Sequence, residues 1–299
     1  ALGIAYEQLR LFKPDLVYCW SPGFASHGPD ANSPAYDDII QARSGIAALN
    51  ADADGAPQFV RSVLCDKVVG LHLAMSVSAA LVHRERTGEG QSIEVPMLET
   101  MAGFILAEHL AGRTMTPSQG DIGYQRLMSN HRRPFETADG YMAIMPYSTN
   151  QWIRFLELVG ETSLAGEAWV SNGAERSNRI DELYELIALV AVRRTTAQWL
   201  EELGRIDVPC AVVNELSQVL ADPQLSKTGL LGTFDNHDVG DLHYLKPAFL
   251  SDEGIGAKPR RAPHLGEHSR DILGQLGLTD SEIQRLIDQR VIGEHRADC

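Results

Sequence analysis

The spacing of apolar residues predicts alternating helices and strands over the first ninety residues. Residues 6–12 have helical spacing, and the apolar run 16–20 is typical of a buried strand. Turn residues follow from Ser21, which places a loop at the carboxyl edge of a sheet, where open α/β folds hold their ligands. A long helix is then predicted from Asp66, as its N-cap, to Gly88. This order is typical of a β-α-β arrangement.

The next segment predicts a second strand that leads directly into a helix. Residues 91–97 alternate between apolar and polar, and residues 98–110 return to helical spacing. Glu99 is therefore expected at a strand-to-helix junction. The nearby Gly88 and Gly90, followed by Gln91, could cradle a phosphate, but two glycines after a helix favour a C-cap and a turn.

Periodicity is lost over residues 111–133, and a smaller α+β pattern follows. It consists of a hairpin over 135–146 turning at Asp139-Gly140, helices near Trp152 and over 179–192 and 196–203, and a strand over 208–213. An irregular stretch is predicted over 236–264 because prolines and polar residues recur there. The predicted organisation is a large α/β domain beginning with residues 1–115, a linker over 116–133, a small α+β domain over 134–228, and a linker and return to the large domain over 229–299.

Charge and composition exclude several classes of protein. The formal net charge of −14 argues against a general attraction to nucleic acid or to an anionic membrane surface. The four cysteines, including Cys299, are too widely spaced for a zinc site or a disulfide framework, and His264 and His268 lack a third metal ligand. We expect no membrane span, because no apolar run approaches about 20 residues, and the chain opens without a signal peptide. A soluble, cytoplasmic protein without a metal is expected.

Four segments, in this order, resemble the class III CoA-transferase family, also called the carnitine dehydratase / bile-acid-inducible or CaiB/BaiF-like family. The resemblance implies an open Rossmann-like large domain with an inserted small α+β domain, and a homodimer whose two subunits interlock like links. Members usually begin with a nucleotide-fold segment that contributes to CoA binding, and this chain is expected to lack it. The segments are SPGFASHGP with SPAYDDIIQARSG, HRERTGEGQSIEVPMLETM, HRRPFETADGYMAIMPYS, and VPCAVVNELSQVLADPQ followed by APHLGEHSRDIL.

The resemblance assigns a catalytic role to Glu99. Transferases of the family use an aspartate at this position as a nucleophile, and glutamate offers the same carboxylate one methylene further out. Attack on an acyl-CoA thioester would give a mixed anhydride and then an enzyme–CoA thioester. The free N–H groups and the dipole of the helix start would stabilise the charges involved. The alternative is a first-turn carboxylate favoured by the dipole alone.

Tyr36, Asp37 and Gln41 lie where the resemblance implies contacts with bound CoA or substrate. Family racemases carry a His-Asp pair where this chain has Tyr36-Asp37, and tyrosine is poorly suited to proton transfer near neutral pH. A half-buried aromatic residue at the edge of an element is the alternative interpretation of Tyr36. Arg132 and Arg133, next to His131, could pair with CoA phosphates or with a substrate carboxylate, or could be solvated linker charges.

The resemblance therefore implies transfer of CoA between carboxylic acids, with acyl-CoA and a small acid as substrates and no prosthetic group. Two alternatives remain open at this point. The first is an acyl-CoA racemase or isomerase of the same family, which would exchange a proton at the α-carbon of the substrate. The second is a truncated, non-catalytic subunit that binds CoA or a partner.

Overall fold

The computed structural model describes residues 3–52, 54–236, 239–247 and 260–295. Cys299 and parts of the predicted irregular stretch, residues 237–238 and 248–259, lie outside the described residues. Helices and strands both occur, which gives a mixed α/β fold. The chain forms two compact units, one up to Val213 and one from Asn214 onward.

The first part of the first unit contains the predicted pair of parallel strands. Val17 pairs with Gln91 and Trp20 pairs with Glu94, and three helices lie in the connection between the two strands. The predicted strand over 91–97 is shorter than expected, because the next helix begins at Met97. The elements are α1 (Tyr6–Leu9), β1 (Val17–Trp20), α2 (Asp37–Arg43), α3 (Ile46–Leu49), α4 (Leu64–Thr87), β2 (Gln91–Glu94), α5 (Met97–His109) and a 3₁₀ turn (Ala111–Thr114).

The long helix α4 ends as predicted but begins earlier. Gly88 has a φ of 77° and closes the helix by donating its N–H to the carbonyl of Arg84, as expected of a C-cap. The predicted start was wrong, since Val63 occupies the N-cap and Asp66 lies within the first turn. The carboxylate of Asp37 accepts the N–H of Asp66 at 3.1 Å, so this donor is satisfied by a residue distant in sequence.

Helix α4 is long and apolar enough to cross a membrane by length and composition alone, with a mean hydropathy of 1.4 over its most apolar window. The sequence expectation rested on continuous apolar runs, whereas an average over 18 residues tolerates single polar residues that interrupt such a run. One such helix is weak evidence for a span, since a core helix passes the same test.

The strands, α2, α4 and α5 share one core. Ile40, Cys65 and Met101 are fully buried there, and Val69 and Val95 are nearly so. Because these residues come from three helices and the strand-to-helix turn, the first turns of α2 and α5 rest on the same packed surface. That surface positions the side chains at the start of both helices.

The rest of the first unit has its own core, built around an antiparallel sheet of order β3-β4-β5. The predicted hairpin at Asp139-Gly140 and the helices near Trp152, over 179–192 and over 196–203 are confirmed. Trp152, Phe155 and Trp199 are buried at its centre. The elements are α6 (Gln125–Met128), β3 (Phe135–Glu136), β4 (Tyr141–Ile144), α7 (Thr149–Leu158), α8 (Thr162–Ala165), α9 (Ala168–Ser171), α10 (Gly173–Asn178), α11 (Ile180–Ala191), α12 (Thr196–Arg205) and β5 (Cys210–Val212).

The second unit consists of short helices and one antiparallel hairpin. The hairpin corrects the prediction of an irregular stretch from residue 236, because residues 240–245 form a strand in which Leu242 and Tyr244 alternate with polar residues. The elements are α13 (Leu216–Val219), α14 (Pro223–Thr228), β6 (Leu231–Asn236), β7 (Gly240–Leu245), α15 (Ser269–Gln275) and α16 (Asp280–Asp288).

Candidate functional site

Glu99 lies in the first turn of α5, at the strand-to-helix junction that the sequence predicts. Pro96 occupies the N-cap, and the side chain of Glu99 is exposed. Its Oε1 accepts a hydrogen bond from the backbone N–H of Ala25 at 3.2 Å. Ala25 belongs to the loop 21–36 that follows β1, which we call the β1 loop. Glu99 therefore combines an accessible carboxylate with one fixed backbone donor.

Two of the N–H groups that the sequence predicts to be free at the helix start are already bonded. The N–H of Met97 donates to the carbonyl of Pro22 at 2.9 Å, and that of Leu98 donates to the carbonyl of Gly23 at 3.1 Å. The β1 loop thus satisfies these donors, which explains the departure from expectation. The dipole of α5 still favours negative charge at Glu99.

A second carboxylate, that of Glu94, holds the same loop. Its two oxygens accept the N–H of Ser26 at 2.5 Å and the hydroxyl of Ser26 at 2.6 Å. The hydrogen bond from the Ser26 side chain lowers the pKa of Glu94, and the bond from the Ser26 backbone adds to this. Glu94 and Glu99 therefore bind consecutive residues, Ser26 and Ala25. Sequence reasoning missed Glu94, although its place at the carboxyl end of β2 could have indicated it.

Packing and one ion pair hold the rest of the β1 loop. Phe24 is buried, and the guanidinium of Arg43 lies 4.7 Å from the centre of its ring. Arg43 also donates to the carboxylate of Asp30 at 2.6 Å. A Cβ on Gly23 would lie 2.2 Å from the Cβ of Ala35, so only glycine fits this close approach. The backbone that meets Glu99 is thus positioned from several sides.

The three predicted residues of α2 differ sharply in exposure. Tyr36, at the N-cap, is 80% exposed, whereas Asp37 is 6% and Gln41 is 0% exposed. The amide of Gln41 donates to Asp37 at 2.6 Å and accepts the N–H of Val60 at 2.8 Å. Asp37 and Gln41 are therefore engaged inside the protein, where they fix the segment that leads into α4. Tyr36 alone is open to a ligand, and it is not the half-buried aromatic of the alternative interpretation.

Arg132 and Arg133 lie away from this group. Both are exposed and line a cavity of about 220 Å³, together with Phe135, Ile144 and Tyr184. Within the described ranges, no hydrogen bond or ion pair joins either arginine to Glu99, Tyr36, Asp37 or Gln41. The neighbouring His131 lies 3.1 Å from the carboxylate of Glu185. The structure thus brings the residues of α2 and α5 onto one core and leaves the two arginines elsewhere.

The described residues contain no group of three or more His, Cys, Asp or Glu side chains arranged to hold a metal ion. The chemistry that the group around Glu99 can supply is that of a carboxylate nucleophile or base, held beside backbone donors.

The family model and the similar proteins all indicate the same family. The family model described as CoA-transferase family III matches residues 1–269. A succinate–glutarate CoA-transferase of Agrobacterium fabrum is 27% identical over 92% of this chain and 68% of its own length. The succinyl-CoA:glutarate CoA-transferase of Homo sapiens is 25% identical over 99% of this chain, again across 68% of the relative.

Solved structures have the same fold. A CaiB/BaiF family protein from Brucella suis matches with a TM-score of 0.69 and 27% identity, over 92% of this chain and 71% of that one. Rv3272 of Mycobacterium tuberculosis matches with a TM-score of 0.75 and 23% identity, over 90% of this chain and 72% of that one, which is a likeness of fold.

Proposed function

The chain belongs to CoA-transferase family III, and on this premise we propose that it transfers CoA between carboxylic acids, with Glu99 as the covalent nucleophile. The relatives named above act on succinate and glutarate, and another is named for formyl-CoA and oxalate. We therefore expect an acyl-CoA donor and a small carboxylic acid as acceptor. The observation that carries the proposal is the exposed carboxylate of Glu99, held by the N–H of Ala25 at 3.2 Å.

The proposed reaction divides the exchange into steps, each of which breaks one single bond between an acyl carbon and its leaving group. The Glu99 carboxylate attacks the thioester carbonyl of the donor, the C–S bond breaks, and CoA leaves as a thiolate with a mixed anhydride remaining. The thiolate attacks the Glu99 carbonyl of this anhydride, which releases the donor acid and leaves a Glu99–CoA thioester. The acceptor carboxylate then attacks that thioester, which expels CoA as a thiolate and forms a second anhydride. The thiolate attacks the acceptor carbonyl of this anhydride, the bond from that carbon to the Glu99 oxygen breaks, and acceptor-CoA and the free Glu99 carboxylate result.

The surrounding residues would position the reacting groups and would not react themselves. The N–H of Ala25 can hold the attacking carboxylate and can donate to a carbonyl oxygen that gains charge near it. Glu94 fixes the adjacent Ser26 and so holds the β1 loop in place. Asp37 and Gln41 would act through the backbone that they order, whereas the exposed ring of Tyr36 can contact the substrate. Arg132 and Arg133 are proposed to meet CoA phosphates or an acid carboxylate.

We propose the finer architecture on the basis of family membership. We infer an open Rossmann-like large domain with an inserted small α+β domain, as the sequence predicts, and an interlocked homodimer. The exposed Leu71 and Met75, one turn apart on α4, support a second copy as the occupant of this apolar surface. We also propose a cytoplasmic location. We further propose chemistry without a prosthetic group, because carboxylate, thioester and thiolate suffice for every step of the reaction.

Covalent trapping tests the role of Glu99. The protein is incubated with succinyl-CoA, formyl-CoA or acetyl-CoA, quenched with hydroxylamine or borohydride, and digested with trypsin. Residues 87–113 form one tryptic peptide, which contains Glu89, Glu94, Glu99 and Glu108. Fragment ions are therefore needed to assign the label. We expect it on Glu99 and expect Glu99→Gln to remove it.

The matched control is Glu89→Gln, which removes an exposed carboxylate from the same peptide and should leave the label in place. A label on Glu94 or Glu108, or persistence of the label in Glu99→Gln, would contradict the proposal. Deuterium exchange at the α-carbon of the substrate, without CoA exchange between acids, would point instead to the racemase or isomerase. CoA binding without any covalent adduct or α-carbon exchange would favour a non-catalytic subunit.

A further inference from the structure

Two arginine side chains face one cavity in the first unit, in a region that the proposed reaction does not use. Arg126 and Arg176 line a space of about 170 Å³, together with Tyr124, Tyr147, Trp152 and Ser177. Both guanidiniums are half-buried. The volume corresponds to roughly six water molecules at about 30 Å³ each, which is enough for a phosphate or a small organic acid.

Neutral groups hold Arg126 in place. Its Nε donates to the hydroxyl of Tyr184 at 3.1 Å, and its guanidinium carbon lies 4.7 Å from the centre of the Tyr147 ring. Neither partner neutralises the positive charge. The terminal amino groups of this guanidinium make no hydrogen bond to any of the described residues. They are available to a ligand.

Arg176 is also fixed by neutral partners. Its Nη1 donates to the hydroxyl of Thr149 at 3.1 Å and to the carbonyl of Val170. Burial lowers the pKa of Arg176, and the positive charge of Arg126 lowers it further. Burial also acts to lower the pKa of Arg126, but the hydrogen bond to the Tyr184 hydroxyl raises it. Neutral partners therefore fix the position of both guanidiniums.

The absence of an acidic partner distinguishes this pair from two well-paired arginines of the same unit. Arg179 pairs with Glu182 at 2.7 Å, and Arg194 pairs with Glu202 at 2.9 Å. Among the residues that the structure describes, no carboxylate lies within ion-pair distance of Arg126 or Arg176. A chain with a net charge of −14 thus carries two adjacent, unneutralised cations at the wall of a cavity.

We propose that this cavity binds an oxyanion, the phosphate or carboxylate group of a small molecule, between Arg126 and Arg176. The guanidiniums supply charge-assisted hydrogen bonds, and Tyr124, Tyr147 and Ser177, which carry hydroxyl groups, line the same cavity. The anion would place a negative charge next to both cations.

The position of the cavity separates it from Glu99. The N–H of Tyr124 donates to Nδ1 of His109 at 3.1 Å, and His109 ends the helix whose first turn contains Glu99. Ten residues of helix at 1.5 Å each span about 15 Å. The bound anion is therefore either a remote group of a long substrate or a separate small molecule.

Isothermal titration calorimetry of the whole chain tests the proposal, at constant ionic strength set with chloride. The titrants are inorganic phosphate, succinate and CoA. We expect saturable binding of phosphate or succinate at one site per chain. Arg126→Met should weaken it at least tenfold, which corresponds to about 1.4 kcal/mol. The control Arg205→Met removes an exposed arginine that pairs with Glu201, and it should leave affinity unchanged.

A competition experiment identifies the source of the anion. Exclusion of phosphate by CoA would assign the site to a CoA phosphate, whereas simultaneous binding would assign it to a free anion or acid. Arg126→Lys keeps the charge but loses the planar donor set, so an intermediate affinity is expected even if Arg126→Met folds poorly. The proposal is overturned if neither phosphate nor succinate binds the wild-type chain, or if Arg126→Met binds them as tightly as the control Arg205→Met does.

Discussion

The buried pair of Asp37 and Gln41 allows one stability prediction to be worked through. Gln41 is fully buried, and its amide joins the Asp37 carboxylate at 2.6 Å to the N–H of Val60 at 2.8 Å. Two longer contacts, from Nε2 to the carbonyls of Val60 and Ser62, measure 3.4 and 3.3 Å and contribute less. Gln41→Leu keeps a similar side-chain volume but removes the amide and with it all of these hydrogen bonds.

The expected loss follows from the groups left behind. A buried donor or acceptor without a partner costs about 1–3 kcal/mol, and more when it is charged. The variant leaves one oxygen of the Asp37 carboxylate and the N–H of Val60 unpaired, which gives about 4 kcal/mol. This is a large part of the 5–15 kcal/mol typical of a folded protein. With a urea slope of about 3 kcal/mol/M, the midpoint should fall by about 1.3 M.

Urea unfolding followed by circular dichroism measures this loss, and hydrogen exchange of peptides covering residues 58–66 locates it. Gln58→Leu is the matched control, because Gln58 is exposed and, within the described part of the chain, its side-chain amide bonds only to Asp52 at 3.0 Å. The control should cost less than about 0.5 kcal/mol. A loss below about 1 kcal/mol for Gln41→Leu, or an equal loss for both variants, would refute the reasoning.

Two further predictions concern titration and thiol reactivity. The hydrogen bond from the Arg261 side chain, assisted by the N–H of His264, lowers the pKa of Glu267 from 4.5 to about 2. The contribution of the Glu267 carboxylate to stability is therefore present above pH 4.5 and is lost as the pH falls toward 2. Glu267→Gln should therefore melt below wild type at pH 6, and this gap should narrow between pH 4.5 and 3 in thermal scans; a constant gap would contradict the assignment. Burial raises the pKa of the fully buried Cys65 thiol to about 11, so peptide mass spectrometry after iodoacetamide treatment at pH 8 should find Cys65 alkylated more slowly than the partly exposed Cys19 and Cys210. Equal rates for the three would count against this burial.

Local patterns predicted the elements that a single stretch of sequence determines. The two glycines after α4, the turn at Asp139-Gly140 and the junction at Glu99 were all visible because each depends on neighbouring residues. The start of α4 was not, since the donor at Asp66 is satisfied by Asp37, which lies 29 residues earlier. Contacts of this kind depend on the fold rather than on local propensity.

In the candidate site, too, some residues could be predicted from the sequence and others could not. Family resemblance indicated Glu99 and Tyr36, but it could not distinguish the exposed Tyr36 from the buried Gln41 five residues later. Glu94 was missed because a polar residue on an alternating strand is the ordinary pattern, and only its distance to Ser26 shows what it does. The Arg126 and Arg176 pair was also missed, since 50 residues separate its members in sequence.

The two carboxylates that bind the β1 loop respond differently to the proposed chemistry. Formation of an anhydride or thioester at Glu99 removes its negative charge, so the hydrogen bond from Ala25 weakens. Glu94 remains ionised and keeps its two bonds to Ser26 throughout. One anchor of the loop is thus released when the first covalent bond forms and restored when the last one breaks, while its neighbour stays constant. Mobility at Ala25 would therefore record, turnover by turn, whether the enzyme is free or acylated.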